Sequence, residues 1–320
     1  MEVDPIEKAI GRFGPYQAWI LLLLSLGRYP TEFQLTNVVF ILPDVDYVCA
    51  DNPQMNVTHQ CPCENPVYDQ SIFESTVTST WNLICDRTWL ASLAQSILQV
   101  GILAGSIVYG YISDRFGRKP AVLLALSVEV AAVALSAVVP ELWMFIICRF
   151  LIGVAIGGTM LCCYVYLIEL CGKSFRPYIV AMIEMIYVTG YMMLPGVAYL
   201  VKDWRQLQLV VSLPWVFVIA YYWLIPESPR WLVTVGKKKE AIALLTKIAK
   251  KNKKPVDNME DIVNEIETEA LNEREQRGSY IDLFKTPKLR IYTLVMAWKR
   301  LDNNIPRQVK DINKDINVRK

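Results

Sequence analysis

The sequence predicts an all-α membrane protein, six spans followed by cytoplasmic amphipathic helices, and three observations carry that prediction. Of its 320 residues 53% are hydrophobic and its mean hydropathy is positive, whereas soluble domains are roughly 45–50% apolar even with glycine counted. Long, nearly uncharged runs reach or approach the roughly 20 residues that cross a bilayer as a helix. Between the runs, lysine and arginine collect in some connections and acidic residues in others, the asymmetry that sets orientation.

Residues 1–16 are expected to form a cytoplasmic N-terminus. Their acidic start, and an apolar core without a small-residue cleavage site, argue against a cleavable signal peptide. Span 1 is placed at 17–42 and is the least uniform, since AWILLLLSL gives way to Gly27, Arg28, Tyr29, Pro30, Thr31 and Glu32. Residues 43–89 form an extracellular loop with Arg87 as its basic residue against Asp44, Asp46, Asp51, Glu64, Asp69, Glu74 and Asp86. On an oxidising face Cys49, Cys61, Cys63 and Cys85 read as two disulfides, with three pairings open. Asn56-Val57-Thr58 is a glycosylation sequon on the same side. A metal held by Cys61, Cys63 and His59 is the competing reading, which the oxidising compartment disfavours.

Spans 2–6 fill 90–229, on the runs 90–112, 121–139, 142–168, 179–201 and 207–225. The hinge GYISDRFGRKP at 110–120 holds Arg115, Arg118 and Lys119 and is therefore cytoplasmic. Cys148, Cys162, Cys163 and Cys171 read as small buried packing residues. The segment 230–290 is a cytoplasmic helical loop. Within it, Ala241, Leu244, Leu245 and Ile248 recur at helical spacing among lysines, an amphipathic helix expected beside the inner leaflet. Calmodulin or nucleic-acid binding is the weaker reading of the same lysines. An acidic helix follows at 259–275. IYTLVMAW at 291–298 starts a seventh span that stops early, and 299–320 is a polar tail without apolar periodicity.

Three stretches carry a resemblance. Residues 110–119 resemble the G-x-x-x-D-R-x-G-R-[KR] signature between spans 2 and 3 of the major facilitator superfamily. Arg149-Phe-Leu-Ile-Gly153 resembles its R-x-x-x-G pattern, and PESPRWL at 226–232 resembles a motif shared by sugar porters and organic ion transporters. The Cys-rich loop, WNLICDRTW at 81–89, Asp203-Trp204-Arg205 and Asp282-Leu283-Phe284 favour the organic cation/carnitine transporter family. The resemblance covers 11 to about 298. It implies the six-span N-terminal half of a major facilitator fold, whose members have twelve spans.

Gly110 and Gly117 are expected to permit a tight turn, with Asp114 meeting positive groups that include a helix N-terminus. Arg115, Arg118 and Lys119 anchor the turn to anionic lipid. Glu169 and Arg176 flank the turn between spans 4 and 5, and Glu227 and Arg230 end span 6; together these predict one interfacial ion network. The resemblance implies that the network closes the cytoplasmic side in the outward-facing state and breaks on switching, and it adds Arg149 and Gly153 to the motif set. Topology alone is the plainer reading.

Charges at bilayer depth normally face a bundle interior or an aqueous cavity. Arg28 and Glu32, four apart, are expected to neutralise one another, although each is also a candidate for substrate. Glu184, Tyr187 and Tyr191 place a carboxylate and two rings on one helix face, the chemistry that suits an organic cation; a packing face is the alternative. The resemblance implies that Gln99 and Tyr164 line the substrate cavity. It makes Glu129 the weakest candidate, because span 3 is peripheral in that fold. The pairs Gly101 and Gly105, and Gly153 and Gly157, read as close helix packing.

A single histidine, His59, excludes His-based triads and multi-histidine metal sites, and there is no P-loop or dinucleotide fingerprint. No cofactor, metal or nucleic acid is expected, and no enzyme activity. The expected function is transmembrane transport of small organic ions, organic cations or carnitine-like zwitterions, by alternating access. It is facilitative or ion-coupled, in the plasma membrane, with both termini cytoplasmic and the bilayer as partner. The other readings are a half-length product, truncated after six spans, that works as a membrane interaction protein with a second half-transporter or a full-length family member, and a sugar-porter-like carrier.

Overall fold

The computed structural model describes residues 4–50, 58–59, 61–256 and 258–275, together with Pro287, Arg290, Ile291 and Val295. Expectations about Asn56, Asp282-Leu283-Phe284, most of 291–298 and the tail 299–320 fall outside the described residues. The chain divides into two compact units, Met1–Glu267 and Thr268–Lys320. The described part of the second consists of the end of one helix and those isolated positions.

The N-terminal helix α1 (Pro5–Ile10) precedes the long α2 (Pro15–Thr36) and the single turn α3 (Val38–Ile41). The loop holds β1 (Tyr47–Cys49), β2 (Pro66–Tyr68) and α4 (Val77–Thr80). Then come α5 (Trp89–Phe116), α6 (Arg118–Val138), α7 (Leu142–Leu170), α8 (Arg176–Leu200), α9 (Trp204–Ser212) and α10 (Tyr221–Leu224). After them lie α11 (Pro229–Thr234), α12 (Lys238–Lys251) and α13 (Met259–Glu275).

Among the described residues, 5 helical stretches are long and apolar enough to cross a membrane: Cys85–Phe116, Arg118–Val138, Leu142–Leu170, Lys173–Leu200 and Trp204–Leu224. The predicted first span is not one of them. It is a helix of 22 residues, but its second half carries Arg28, Pro30, Thr31, Glu32 and Gln34, all buried against the protein. The last span starts earlier than predicted, at Trp204, because Asp203 Oδ1 accepts the Arg205 and Gln206 N–H groups at 2.8 and 2.9 Å and caps the helix. Its middle, Leu213–Ala220, winds as a 3-10 helix around Pro214, which has no N–H to give to an α-helical ladder.

Helix α5 packs most extensively on α7, and glycine makes this fit. A Cβ on Gly101, Gly105, Gly153 or Gly157 would run into the main-chain oxygens of Phe150, Val154, Leu98 and Ile102 respectively, so the two backbones touch as small-residue packing requires. On another side of the bundle α2 meets α8, where Tyr29 Oη lies 3.1 Å from Thr189 Oγ1 and Gly190 faces the Glu32 side chain. Cys148, Cys162, Cys163 and Cys171 are buried thiols, as expected.

The fold is mostly helical, as expected, and the loop adds an antiparallel two-stranded sheet, with Tyr47 opposite Tyr68 and Val48 opposite Val67. Val and Tyr favour the pleated, half-buried surface. One expectation needs correction: the apolar face of α12 is covered by protein instead of lipid. Ala241, Leu245 and Ile248 share a core with Ile6 and Ile10 of α1 and with Leu232 of α11.

Of the three disulfide pairings the structure has Cys49–Cys63 and Cys61–Cys85, which removes both thiols of the competing metal reading. His59 Nε2 instead lies 2.7 Å from Asp46 Oδ1. The loop is fastened to the bundle by indoles: Trp204 Nε1 donates to Thr80 Oγ1 and Trp81 Nε1 to Pro140 O, each at 3.0 Å. The rings of Trp81, Phe145 and Trp204 pack mutually.

Candidate functional site

At the hinge end, the chain turns between α5 and α6 in one residue. Gly117 has φ of +115°, a conformation that costs an L side chain and suits glycine. Gly110 has no such role; it lies inside α5, where a Cβ would meet only Leu161 Cδ2 at 3.4 Å. Arg118, the first residue of α6, gathers the cluster. Its Nη2 is 2.7 Å from Glu169 Oε1 on α7, and its Nη1 is 2.7 Å from Asp114 Oδ1 on α5. Arg118 Nε also reaches both Glu169 oxygens, at 3.1 and 3.0 Å, making the bidentate geometry that favours arginine over lysine. Ser228 Oγ completes Glu169 at 2.6 Å.

The N-terminus of α6 is met by Glu227. Its Oε1 accepts the N–H groups of Arg118, Lys119 and Ser228 at 2.9, 3.1 and 2.9 Å, the arrangement that a helix N-terminus offers an anion. Burial holds the Glu227 carboxyl above its ordinary value, an upward push that these three donors and Arg118 offset only in part. Asp114 was expected in that capping role; it pairs with Arg118, and its main-chain oxygen accepts Trp231 Nε1 at 3.0 Å. Lys119 Nζ lies 4.7 Å over the Tyr222 ring, and Arg115 bonds Tyr111 Oη and stacks on Phe116. Arg176 opens α8 beyond the turn Lys173–Phe175.

Arg230 was expected in one interfacial ion network with Glu169, Arg176 and Glu227. Its Nη2 binds both oxygens of Asp4, at 2.7 and 2.6 Å. Asp4 also caps α1 through the Ile6 N–H and accepts the Lys173 N–H. The sequence signal for Asp4 was its place before Pro5, a helix-start pair, but nothing local announces a partner 226 residues away. Arg149 and Gly153 do not join the hinge. Arg149 lies near the opposite end of α7, fully buried with its guanidinium 5.0 Å over the Phe145 ring, and Gly153 belongs to the α5–α7 seam.

Deeper in the bundle, Arg28 Nη2 and Glu32 Oε1 form the expected pair at 2.7 Å, nearly inaccessible to solvent. One helix over, Glu184, Tyr187 and Tyr191 are exposed on α8 beside its buried stripe of Ile179, Ile183, Ile186 and Gly190. The two tyrosine rings lie 6.5 Å apart. Tyr164 on α7 is exposed and Gln99 on α5 half-buried; neither has a described hydrogen bond or ring contact to the α8 group. Glu129, ranked lowest from the sequence, is fully buried and bonded to Thr31 and Thr159. Span 3 is therefore not peripheral at this depth: α6 packs against α7 and α9 and meets α2.

The bundle with this hinge has the helical arrangement of a membrane protein, and comparison with known proteins gives its family. Residues 52–300 match the family described as sugar (and other) transporter. The chain belongs to that family, within the major facilitator superfamily. It is 31% identical to the organic cation transporter protein of Drosophila melanogaster, over 92% of this chain and 62% of that one. It is 36% identical to the beta-alanine transporter of the same organism, over 76% of this chain and 42% of the relative. The chain thus spans between about two fifths and three fifths of the length of these relatives. Its fold resembles the xylose transporter XylE of E. coli in a partially occluded inward-open conformation, with a TM-score of 0.60 at 20% identity, covering 81% of this chain and 60% of that one.

Proposed function

We propose that this chain is the six-helix portion of a carrier that moves small organic ions, organic cations or carnitine-like zwitterions, across the plasma membrane by alternating access. The observation that carries the reading is the cluster at the hinge. One guanidinium, Arg118, ties α5 and α7 to the start of α6, while Glu227 and Ser228 bring in the chain after α10. Such a buried, multiply bonded ion cluster is stable in one arrangement of the helices and lost in another, which is what a gate needs. The arginine- and lysine-rich hinge supports a cytosolic position for this end and an outside position for the Cys-rich loop. Glu184, Tyr187 and Tyr191 offer a carboxylate and two π faces to a cation, with Arg28, Glu32, Gln99 and Tyr164 as further candidate substrate contacts. The relatives' names, for organic cations and beta-alanine, support the substrate class.

A second reading rests on the length comparison: the chain works with another polypeptide, a second half-transporter or a longer family member, that supplies the remaining spans. Uptake of tetraethylammonium into proteoliposomes with an inside-negative potential tests both. Saturable uptake by the chain alone supports the first reading. Uptake only after co-reconstitution with the missing spans supports the second. Uptake of xylose instead of tetraethylammonium points to a sugar carrier, and absence of uptake in every case removes the transport function. In whichever assembly is active, Glu184→Gln is expected to lower uptake at least tenfold, about 1.4 kcal/mol, at unchanged reconstitution; an unchanged rate assigns that face to packing.

A further inference from the structure

Glu129 sits midway along α6 and is 0% exposed. Its Oε2 accepts two hydroxyls, Thr31 Oγ1 of α2 at 2.9 Å and Thr159 Oγ1 of α7 at 3.0 Å. Its Oε1 is buried and has no hydrogen-bond partner among the described residues. The basic residue near it, Arg28, gives its Nη2 to Glu32, so this group of three charged side chains holds one carboxylate more than it has base. Taking an ionised carboxylate out of water without a countercharge is far more costly than burying the neutral acid. Ionisable groups kept at bilayer depth despite that cost mark ion and proton pathways.

We propose that Glu129 is a proton-binding site, with the proton carried on Oε1 while Oε2 holds the two threonine hydroxyls. Among the described residues, the titratable side chains close enough to influence it electrostatically are Arg28 and Glu32 from α2, Tyr109 from α5 and Cys163 from α7. Tyr221 of α10 influences Cys163 in turn and donates to Leu23 O at 2.6 Å. Arg205 of α9 is turned to Ala137 O and the Trp204 ring. Among the described residues Arg28 is the strong base that acts on Glu129, and it is committed to Glu32. A hard metal cation fits less well: such ions take six or more oxygens, whereas the site supplies the Glu129 carboxyl and two hydroxyls that already point at one of its oxygens. Because the bonds to Glu129 come from α2 and α7 at once, a displacement of either helix changes how tightly the proton is held. On the transport reading above, this links proton exchange to the conformational switch.

Infrared spectra of the purified chain in lipid nanodiscs test the site without any uptake measurement, so a failure of the transport reading leaves the result interpretable. The expected result is a C=O stretch of a protonated carboxylic acid at neutral pH. It shifts in D2O, is lost in Glu129→Gln and is kept in Glu184→Gln. A spectrum unchanged by Glu129→Gln overturns the proposal. So does a sodium-dependent rise in Tm that disappears in Glu129→Gln, which would assign the site to a cation. If Glu129→Gln does not fold, the double variant Thr31→Val, Thr159→Val serves instead: loss of both hydrogen bonds must move the band to higher frequency, and an unmoved band overturns the proposal.

Discussion

Arg118 makes two contacts of 2.7 Å, to Asp114 and to Glu169, and their surroundings set them apart. The Asp114 side chain is 66% exposed and the Glu169 side chain 15%. An exposed i,i+4 pair contributes little because water and salt screen it. A buried pair that loses one partner leaves a charge stranded. Asp114→Ala is therefore expected to cost under about 1 kcal/mol and Glu169→Ala about 3 kcal/mol, measured as loss of thermal stability of the chain in detergent micelles. Equal losses would mean that the hinge is held by the exposed contact. At this scale the sequence was informative about which residues meet and poor about how. Asp114, Arg118, Glu169 and Glu227 were all legible as hinge charges. That Glu227 and not Asp114 caps α6 depends on a chain reversal after α10 which no local spacing encodes. Glu129 was undervalued because rarity of charge in a span says that a group is functional or paired, without saying from which side its partners come.

Among the elements, the α5–α7 seam depends on glycines that are indistinguishable by eye from glycines that matter little. Gly105 and Gly110 both lie in α5, yet a Cβ on the first would overlap Val154 O, a main-chain atom that cannot swing away, whereas on the second it would make an ordinary contact with Leu161. Gly105→Ala is expected to destabilise by about 2 kcal/mol, in the range for overpacked cores, and Gly110→Ala to be neutral or slightly stabilising from its better helix propensity. Parallel thermal melts of the two variants decide this, and similar melts would contradict the close seam. Helix positions were legible because uninterrupted apolar runs of span length have few alternatives. The exceptions have local causes. Buried Arg28, Thr31, Glu32 and Gln34 give α2 a polar stripe that hydropathy reads as a break, Asp203 starts the last span early, and the short strands of the loop were hidden by their brevity.

Across the molecule, contacts far apart in sequence close both ends of the bundle. The loop is hydrogen-bonded to the start of the last span, Trp204 N to Ser75 O and Glu74 N to Lys202 O, at 3.2 Å each. At the other end Asp4 binds Arg230 and Lys173, and Asn252 at the end of α12 bonds Ile10 O and Gln17 Oε1. Charge-assisted hydrogen bonds are each worth about 1.5–3 kcal/mol. Asp4→Ala is thus expected to raise the rate of trypsin cleavage after Arg12 by roughly tenfold or more through local opening of α1. An unchanged rate would mean that apolar packing of Ile6 and Ile10 alone seats the segment. None of this was legible beforehand, since pairing over such separations is a property of the assembled bundle.

The Asp4–Arg230 contact also sets an order of events during synthesis. The two partners lie 226 residues apart, and at roughly 5–20 residues per second the wait between them is about 10–50 s. Until then Asp4 has the Lys173 N–H as an earlier-made partner but lacks the Arg230 guanidinium. A nascent chain stalled between residues 173 and 230 would therefore hold Asp4 by its Lys173 contact alone.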